Sequence, residues 1–250
     1  MSKLKNKVAV ITGGNSGIGL GIAEAFRNEG AVGAIVGRNQ ETLTSAVAQL
    51  GENFIAINAD VTNVDDLERV FKETAERFGK IDVVVANAGG GAVGTVATFG
   101  EADFDKAIDL NLKSVYFTVQ KALPYMNEGG SIILIGSNAA HRAYPSFTLY
   151  GAAKAAVIYL AKGFSSDLLD RKIRANVITP GTTDTPAFDK FVPAEQIEAV
   201  KKHFADQMPI GRIGQPADIG TIAVFLASDD SSFMLGAELI VDGGMTYLAK

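Results

Sequence analysis

The sequence predicts an α/β fold: one domain over residues 1–250, built as a doubly wound parallel sheet with helices on both faces. Short apolar runs recur along the chain and are nearly continuous rather than alternating, as expected of strands buried on both faces. Segments long enough for crossover helices separate them. The size agrees, since 250 residues, 47% of them hydrophobic, can bury a large core and are too apolar for intrinsic disorder.

The first run, 8–11, leads into Thr12-Gly13-Gly14-Asn15-Ser16-Gly17-Ile18-Gly19 and a helix over 18–29. Glycines permit a tight turn and let a pyrophosphate approach the backbone, and the helix start offers free N–H groups and a positive dipole end. The loop is therefore a candidate phosphate cradle, with Gly13, Asn15, Ser16, Gly17, Ile18 and Gly19 around the anion. It is not a P-loop, because Leu20 stands where the phosphate-binding Lys would be. The second run, 31–36, is followed by Gly37-Arg38-Asn39. An NAD site usually carries an acidic residue here, about 20 residues past the loop, for the ribose hydroxyls. Gly37 removes that carboxylate and Arg38 supplies a guanidinium suited to a 2′-phosphate. The expected cofactor is NADP(H), with NAD(H) the lesser alternative.

A helix over 41–50, a strand over 54–57, a helix over 64–78 and a strand over 83–86 follow. The next helix reads as one piece, 104–126, with Asn111 inside an apolar stripe of Phe104, Ala107, Ile108, Val115, Val119 and Ala122. A buried amide without partners costs roughly 1–3 kcal/mol, so Asn111 is expected to be fully hydrogen-bonded. Strand 132–135 ends at Gly136-Ser137, and Tyr150-x3-Lys154 opens an Ala-rich helix over 151–169. Tyr150 and Lys154, at i and i+4, share a face that Val157, Ile158 and Ala161 continue. A partly buried ammonium beside a phenol lowers the phenol's pKa from about 10, so that Tyr150 can exchange a proton near neutral pH. Ser137, at the carboxyl end of its strand, can hydrogen-bond the oxygen of a reacting carbonyl.

After strand 176–178 the rhythm breaks. Residues 182–214 form a long insertion with a helix-like piece around 195–204. It leaves the carboxyl edge of the sheet, where ligands bind, and is a candidate substrate lid. Phe188, Phe191 and Met208 of this insertion, with His141, Tyr144 and Phe147 between Ser137 and Tyr150, would form a mainly apolar pocket. His203 is expected in solvent. A helix over 217–227 and a strand over 239–241 complete the seven runs.

Composition removes several function classes. Without cysteine there is no disulfide framework, thiolate metal site or Cys nucleophile. The two histidines, His141 and His203, are too few and too far apart for a zinc centre, and no metal site is expected. A net charge of −5 gives no pull toward nucleic acid. No apolar stretch approaches the ~20 residues that span a bilayer, and the N-terminus lacks a signal-peptide core. A cytoplasmic protein acting on a small molecule is expected.

Taken in order, Thr12-Gly13-x3-Gly17-Ile18-Gly19, Asp60-Val61, Asn87-Ala88-Gly89, Asn111, Ser137, Tyr150-x3-Lys154, Pro180-Gly181 and Val241-Asp242-Gly243-Gly244 resemble the short-chain dehydrogenase/reductase family, in its compact single-domain branch. The resemblance implies a Rossmann-like sheet of seven parallel strands. It makes Tyr150 the general acid/base. Lys154 lowers its pKa and binds the nicotinamide ribose, Ser137 orients the substrate oxygen, and Asn111 holds a proton-relay water. It sets Asp60 and Val61 at the adenine and Asn87, Ala88 and Gly89 under the adenosine ribose. Thr183 and Thr185, after Pro180 and Gly181, contact the nicotinamide end. The activity implied is an NADP(H)-dependent carbonyl reductase or secondary alcohol dehydrogenase acting on a ketone or aldehyde with an apolar substituent. Alternatives are a 3-oxoacyl thioester reductase, a sugar dehydrogenase, or a dinucleotide-sensing protein without chemistry, which the retained Tyr and Lys disfavour. Three residues separate Tyr150 from Lys154, where the family's enoyl reductases have six, which disfavours double-bond reduction. Ser16 stands where some NADP-dependent members carry a basic residue, leaving Arg38 the main argument for the phosphate. Gly90-Gly91 makes the loop after Asn87 unusually Gly-rich and is expected to loosen it. A homotetramer packed through helices 104–126 and 151–169 is also implied.

Overall fold

The computed structural model describes residues 2–188 and 192–249. Seven parallel strands make one sheet in the order β3-β2-β1-β4-β5-β6-β7. They are β1 (Val8–Thr12), β2 (Val32–Gly37), β3 (Phe54–Asn58), β4 (Ile81–Ala86), β5 (Met126–Ile135), β6 (Arg174–Pro180) and β7 (Glu238–Val241). The order runs outward in both directions from the β1/β4 pair, which opens a crevice at their carboxyl ends. This is the Rossmann-like doubly wound arrangement.

Neighbouring residues of each central strand feed opposite cores. Val8 and Val10 of β1 join one, and Ala9 and Ile11 the other. The first core is covered by α3 (Val64–Phe78), α5 (Ser114–Ala122) and α6 (Thr148–Asp167) through Phe71, Val119, Val157 and Phe164. The second is covered by α1 (Gly17–Asn28), α2 (Gln40–Leu50) and α8 (Pro216–Ala227) through Phe26, Leu43 and Ala223. Burial on both faces is why these strands read as unbroken apolar runs.

One predicted helix is corrected. Residues 104–126 are not one piece: α4 (Glu101–Ile108) passes through a π turn (Asp109–Lys113) into α5, then a 3-10 turn (Leu123–Tyr125) delivers the chain to β5 at Met126. Pro124 is the second residue of that 3-10 turn, where a missing N–H is tolerated. Phe104, expected in the buried stripe, is 50% exposed. The extra residue of the π turn rotates α4 relative to α5, so one stripe cannot run through both. Between β6 and α8 the chain forms α7 (Ile197–Gln207) and returns to the sheet edge at a bridge between Thr183 and Gly214. Phe191 lies outside the described residues. No helix among the described residues is long and apolar enough to cross a membrane.

Candidate active site

The phosphate loop begins where β1 ends. Gly13 and Gly17 have φ of +64° and +54°, in the region that favours glycine. Gly19 is fixed by space: a Cβ there would lie 2.1 Å from the Gly13 carbonyl oxygen. Ser16 is the N-cap of α1 but its side chain makes no capping bond, and Gly17 opens the helix with Ile18 next in its first turn. The start of the helix thus keeps its N–H groups directed at the crevice. Asn87 locks this turn from β4, donating from Nδ2 to the carbonyls of Thr12 (2.9 Å) and Gly13 (3.1 Å). Thr12 Oγ1 accepts from the backbone N–H groups of Asn87 and Ala88. Asn87 and Ala88 therefore hold the cradle in shape, a duty that Thr12 shares and that the motif alone did not assign.

At the end of β2, Arg38 is mostly exposed and lies 3.6 Å from Asp60. Burial raises the Asp60 pKa, but hydrogen bonds from the Thr62 backbone and hydroxyl, with Arg38 nearby, outweigh it and hold the carboxyl below its ordinary value. Val61 beside it is buried. Asn39 turns its side chain to the Thr42 N–H at 3.0 Å, so its oxygen caps α2. Asn15 donates to Thr42 Oγ1 at 2.7 Å and lies against Gly37, where a Cβ would meet Asn15 Oδ1 at 2.5 Å. Thr42 was not singled out by its sequence context, because its neighbours are ordinary helix residues.

The proposed proton-handling groups come together at the ends of β4 and β5. Lys154 is 3% exposed and donates from Nζ to the Ile135 carbonyl at 2.8 Å. Asn111 is 1% exposed and sits in the π turn. Its amide is satisfied as expected, donating to the Ala107 carbonyl and accepting from the Gly90 N–H, each at 3.0 Å. A methyl placed on Gly89 would lie 3.1 Å from Asn111 Oδ1 and 3.4 Å from Lys154 Nζ, so the three residues meet. Ser137 Oγ accepts from the Ala139 N–H at 3.2 Å, which leaves its hydroxyl hydrogen for another partner.

One electrostatic expectation is corrected. The Tyr150 phenol is pushed up, not down: burial dominates, and its hydrogen bond with Ser137 opposes it only in part. Lys154 does not depress it, because Nζ lies 5.7 Å from the ring centre and is directed at Ile135. Burial instead lowers the Lys154 ammonium to about 8. Two desolvated groups each resist their own charged form before they help one another.

On the substrate side, Phe147 packs edge-on against Tyr150 at 5.9 Å. Tyr144 is partly buried, which raises its pKa against opposing effects of Arg142 and Asn138. Its hydroxyl lies 3.1 Å from Asn138 Nδ2 and 3.7 Å from Met245 Sδ. Met208 is buried with Met245 and Ile213, and Phe188 packs against Phe204 of α7. His203 is exposed. His141 does not line a pocket with these residues but turns to β7, where Nε2 lies 2.6 Å from Glu238 Oε1. Thr183 is buried, its hydroxyl donating to the Gly181 carbonyl, and the Thr185 methyl lies over Gly17. Pro180 and Gly181 are held to β7 by the Gly181 N–H bond to Val241. The Gly-rich loop after Asn87 is anchored by the Gly94 N–H bond to Ser146 and walls a cavity of about 330 Å³ that reaches Asn111. The sequence gives no local signal for Met245 and Glu238, whose partners Tyr144 and His141 lie about a hundred positions away.

A nicotinamide dinucleotide fits these residues. Lys154 is a buried ammonium perturbed by loss of water, with no carboxylate among the described residues shifting it, as suits a neutral ribose. The Gly13–Gly19 turn is a cradle that a single Cβ would fill.

Comparison with known proteins places this geometry. The family model described as "Enoyl-(Acyl carrier protein) reductase" matches residues 13–246. The chain is 41% identical over 250 residues to oxidoreductase asL5 of Sarocladium schorii, covering 99% of each. It is 34% identical to the hydroxynaphthalene reductase-like protein Arp2 of Metarhizium majus, covering 96% of this chain and 95% of that one. Among solved structures it resembles a short-chain dehydrogenase/reductase of the glucose/ribitol dehydrogenase type from Brucella melitensis, with a TM-score of 0.91, 33% identity and 99% of each chain covered.

Proposed function

Because the chain belongs to the short-chain dehydrogenase/reductase family of oxidoreductases, we propose that it is an NADP(H)-dependent carbonyl reductase or secondary alcohol dehydrogenase. The observation that carries this reading is the meeting of Asn111, Gly89 and the buried Lys154 at the mouth of the crevice, with Tyr150 and Ser137 hydrogen-bonded beside them.

The phosphate loop and the start of α1 would hold the pyrophosphate, Asp60 and Val61 the adenine, and Arg38 the 2′-phosphate. Lys154 would hold the nicotinamide ribose, with Thr183 and Thr185 at the ring. When bound, the reduced nicotinamide supplies the hydride. Tyr150 donates its proton to the substrate oxygen, and a protonated phenol is the form that burial favours. Ser137 would turn its hydroxyl hydrogen from Tyr150 to the same oxygen and fix its position. Lys154 hands the replacement proton toward Tyr150. One bond at each end leaves the Asn111 amide a second hydrogen and a second lone pair, on which a relay water would rest. Tyr144, Phe147, Phe188 and Met208 favour a carbonyl with an apolar or aryl substituent, and the insertion 182–214 acts as its lid.

A panel of aryl ketones, aliphatic ketones, a 3-oxoacyl thioester, an enoyl thioester and sugars, each with NADPH and NADH, tests this by the absorbance of the reduced nicotinamide. Reduction of an aryl or aliphatic ketone with NADPH preferred is expected. Turnover confined to the enoyl thioester would overturn it. The acyl arms are included because the matching family model names an acyl carrier protein reductase. We also propose a homotetramer packed through α4, α5 and α6, supported by the exposed Phe104, Tyr116 and Tyr159. Sedimentation at micromolar concentration reads it directly.

A further inference from the structure

Residues Gly136–His141 carry Ser137, and both ends of this segment lead to one carboxylate. At the far end, His141 Nε2 lies 2.6 Å from Glu238 Oε1. At the near end, Thr179 Oγ1 donates to the same Glu238 Oε1 at 2.5 Å. Thr179 stands directly against Gly136: a Cβ on that glycine would lie 2.7 Å from Thr179 Oγ1. A carboxylate oxygen only accepts, so beside the Thr179 hydroxyl hydrogen it takes an N–H from His141. Side-chain exposure is 19% for Glu238 and 26% for His141; the Thr179 bond is part-buried, and the His141 bond lies at the solvent edge.

Between the clamped ends lies a 3-10 turn, Asn138–Ala140, with two consequences. Its Ala139 N–H occupies an acceptor site on Ser137 Oγ and so sets where the serine hydrogen points. Its Ala139 carbonyl packs on α6 one residue past Tyr150, where a Cβ on Gly151 would meet that oxygen at 2.6 Å. Pulling on the turn therefore moves Ser137 and Tyr150 together.

We propose that Glu238, with His141 and Thr179, is a positioning group for the reaction: a half-buried carboxylate at the start of β7 that clamps the Ser137 turn at both ends and thereby holds the two substrate-oxygen donors in register. The inference rests on Ser137 and Tyr150 acting as proposed above. Neither His141 nor Glu238 touches substrate or cofactor in this role.

The test compares E238A, E238Q, H141A, H141Q and the double variant E238A/H141A, using NADPH and whichever ketone of the panel the native protein reduces fastest. E238A is expected to lower kcat about tenfold, with KM and the NADPH dissociation constant within about twofold. H141A should lower kcat by a smaller factor. E238Q and H141Q keep an acceptor and a donor in place and should restore most of the loss. The double variant should be no worse than E238A, because both act through one carboxylate. Hydrogen exchange at the amides of Ala139, Ala140 and His141 should quicken about tenfold in E238A and H141A, and reads the clamp even if the panel yields no substrate. Unchanged exchange, additive losses in the double variant, or a kcat within twofold of native in E238A would each overturn the proposal.

Discussion

The two halves of the sheet's carboxyl edge are held together differently. Around β1, β2 and β4, side chains bond mostly to backbone: Asn87 to the carbonyls of Thr12 and Gly13, Thr12 to the N–H groups of Asn87 and Ala88, Asn39 to the Thr42 N–H. Around β5, β6 and β7, backbone bonds such as Lys154 to the Ile135 carbonyl are joined by a chain of side chain-to-side chain bonds: Asn138 to Tyr144, Tyr144 to Met245, and both His141 and Thr179 to Glu238. Backbone partners exist whatever residue lies opposite, so the first half tolerates change around it and keeps one shape. Side-chain partners vanish with a single substitution. On the function proposed above, the first is the dinucleotide half and the second the substrate half, and the second is the more easily altered by one substitution.

The sharpest break in this comparison is on the substrate half. Tyr150→Phe removes the proton donor and should lower kcat by about 10²–10⁴-fold while leaving NADPH binding, read by fluorescence, within about twofold. On the dinucleotide half, Gly19→Ala drives a methyl into the Gly13 carbonyl, a backbone atom that cannot step aside. NADPH affinity should fall on the order of a hundredfold, with a lower thermal midpoint. An affinity near native would show that the cradle is looser than its geometry. Arg38→Ala should weaken NADPH by about tenfold or more and leave NADH unchanged, as loss of one charge-assisted contact predicts. Equal losses for both cofactors would place Arg38 outside the phosphate site.

The smallest effect concerns stability. Lys154 is held at about 8 by burial, below its ordinary 10.5. Below about pH 8 the ammonium is charged in both folded and unfolded chains, and the folded one bears the full desolvation penalty, on the order of 3 kcal/mol. Between about 8 and 10.5 the folded lysine sheds its proton first, so stability recovers as pH rises. Lys154→Met should therefore raise the thermal midpoint by a few degrees at pH 7, offset in part by the orphaned Ile135 carbonyl. That gain should shrink toward pH 10.5, and a constant gain across the range would point to packing instead.

Several features were legible before the structure because they depend on local pattern. The seven runs named the seven strands, since burial on both faces demands apolar residues at every position. The apolar stripe predicts hydrogen-bond partners for Asn111, and the structure gives its amide one at each end. The break of helix 104–126 at its π turn was not legible, because an inserted residue changes rotation without changing composition. His141 was placed in the pocket by its position between Ser137 and Tyr150, yet Glu238, 97 positions on, draws it to β7.

Sequence alone determined the parallel sheet, the glycine turn at its switch point and the helix that sets Tyr150 one turn from Lys154, because these follow from hydrophobic period and backbone sterics over a few residues. Tertiary structure decided which way Lys154 points, that burial raises rather than lowers the Tyr150 phenol, and which carboxylate holds the Ser137 turn. Those outcomes depend on desolvation and on distances between segments far apart in the chain, and neither quantity exists until the chain has folded.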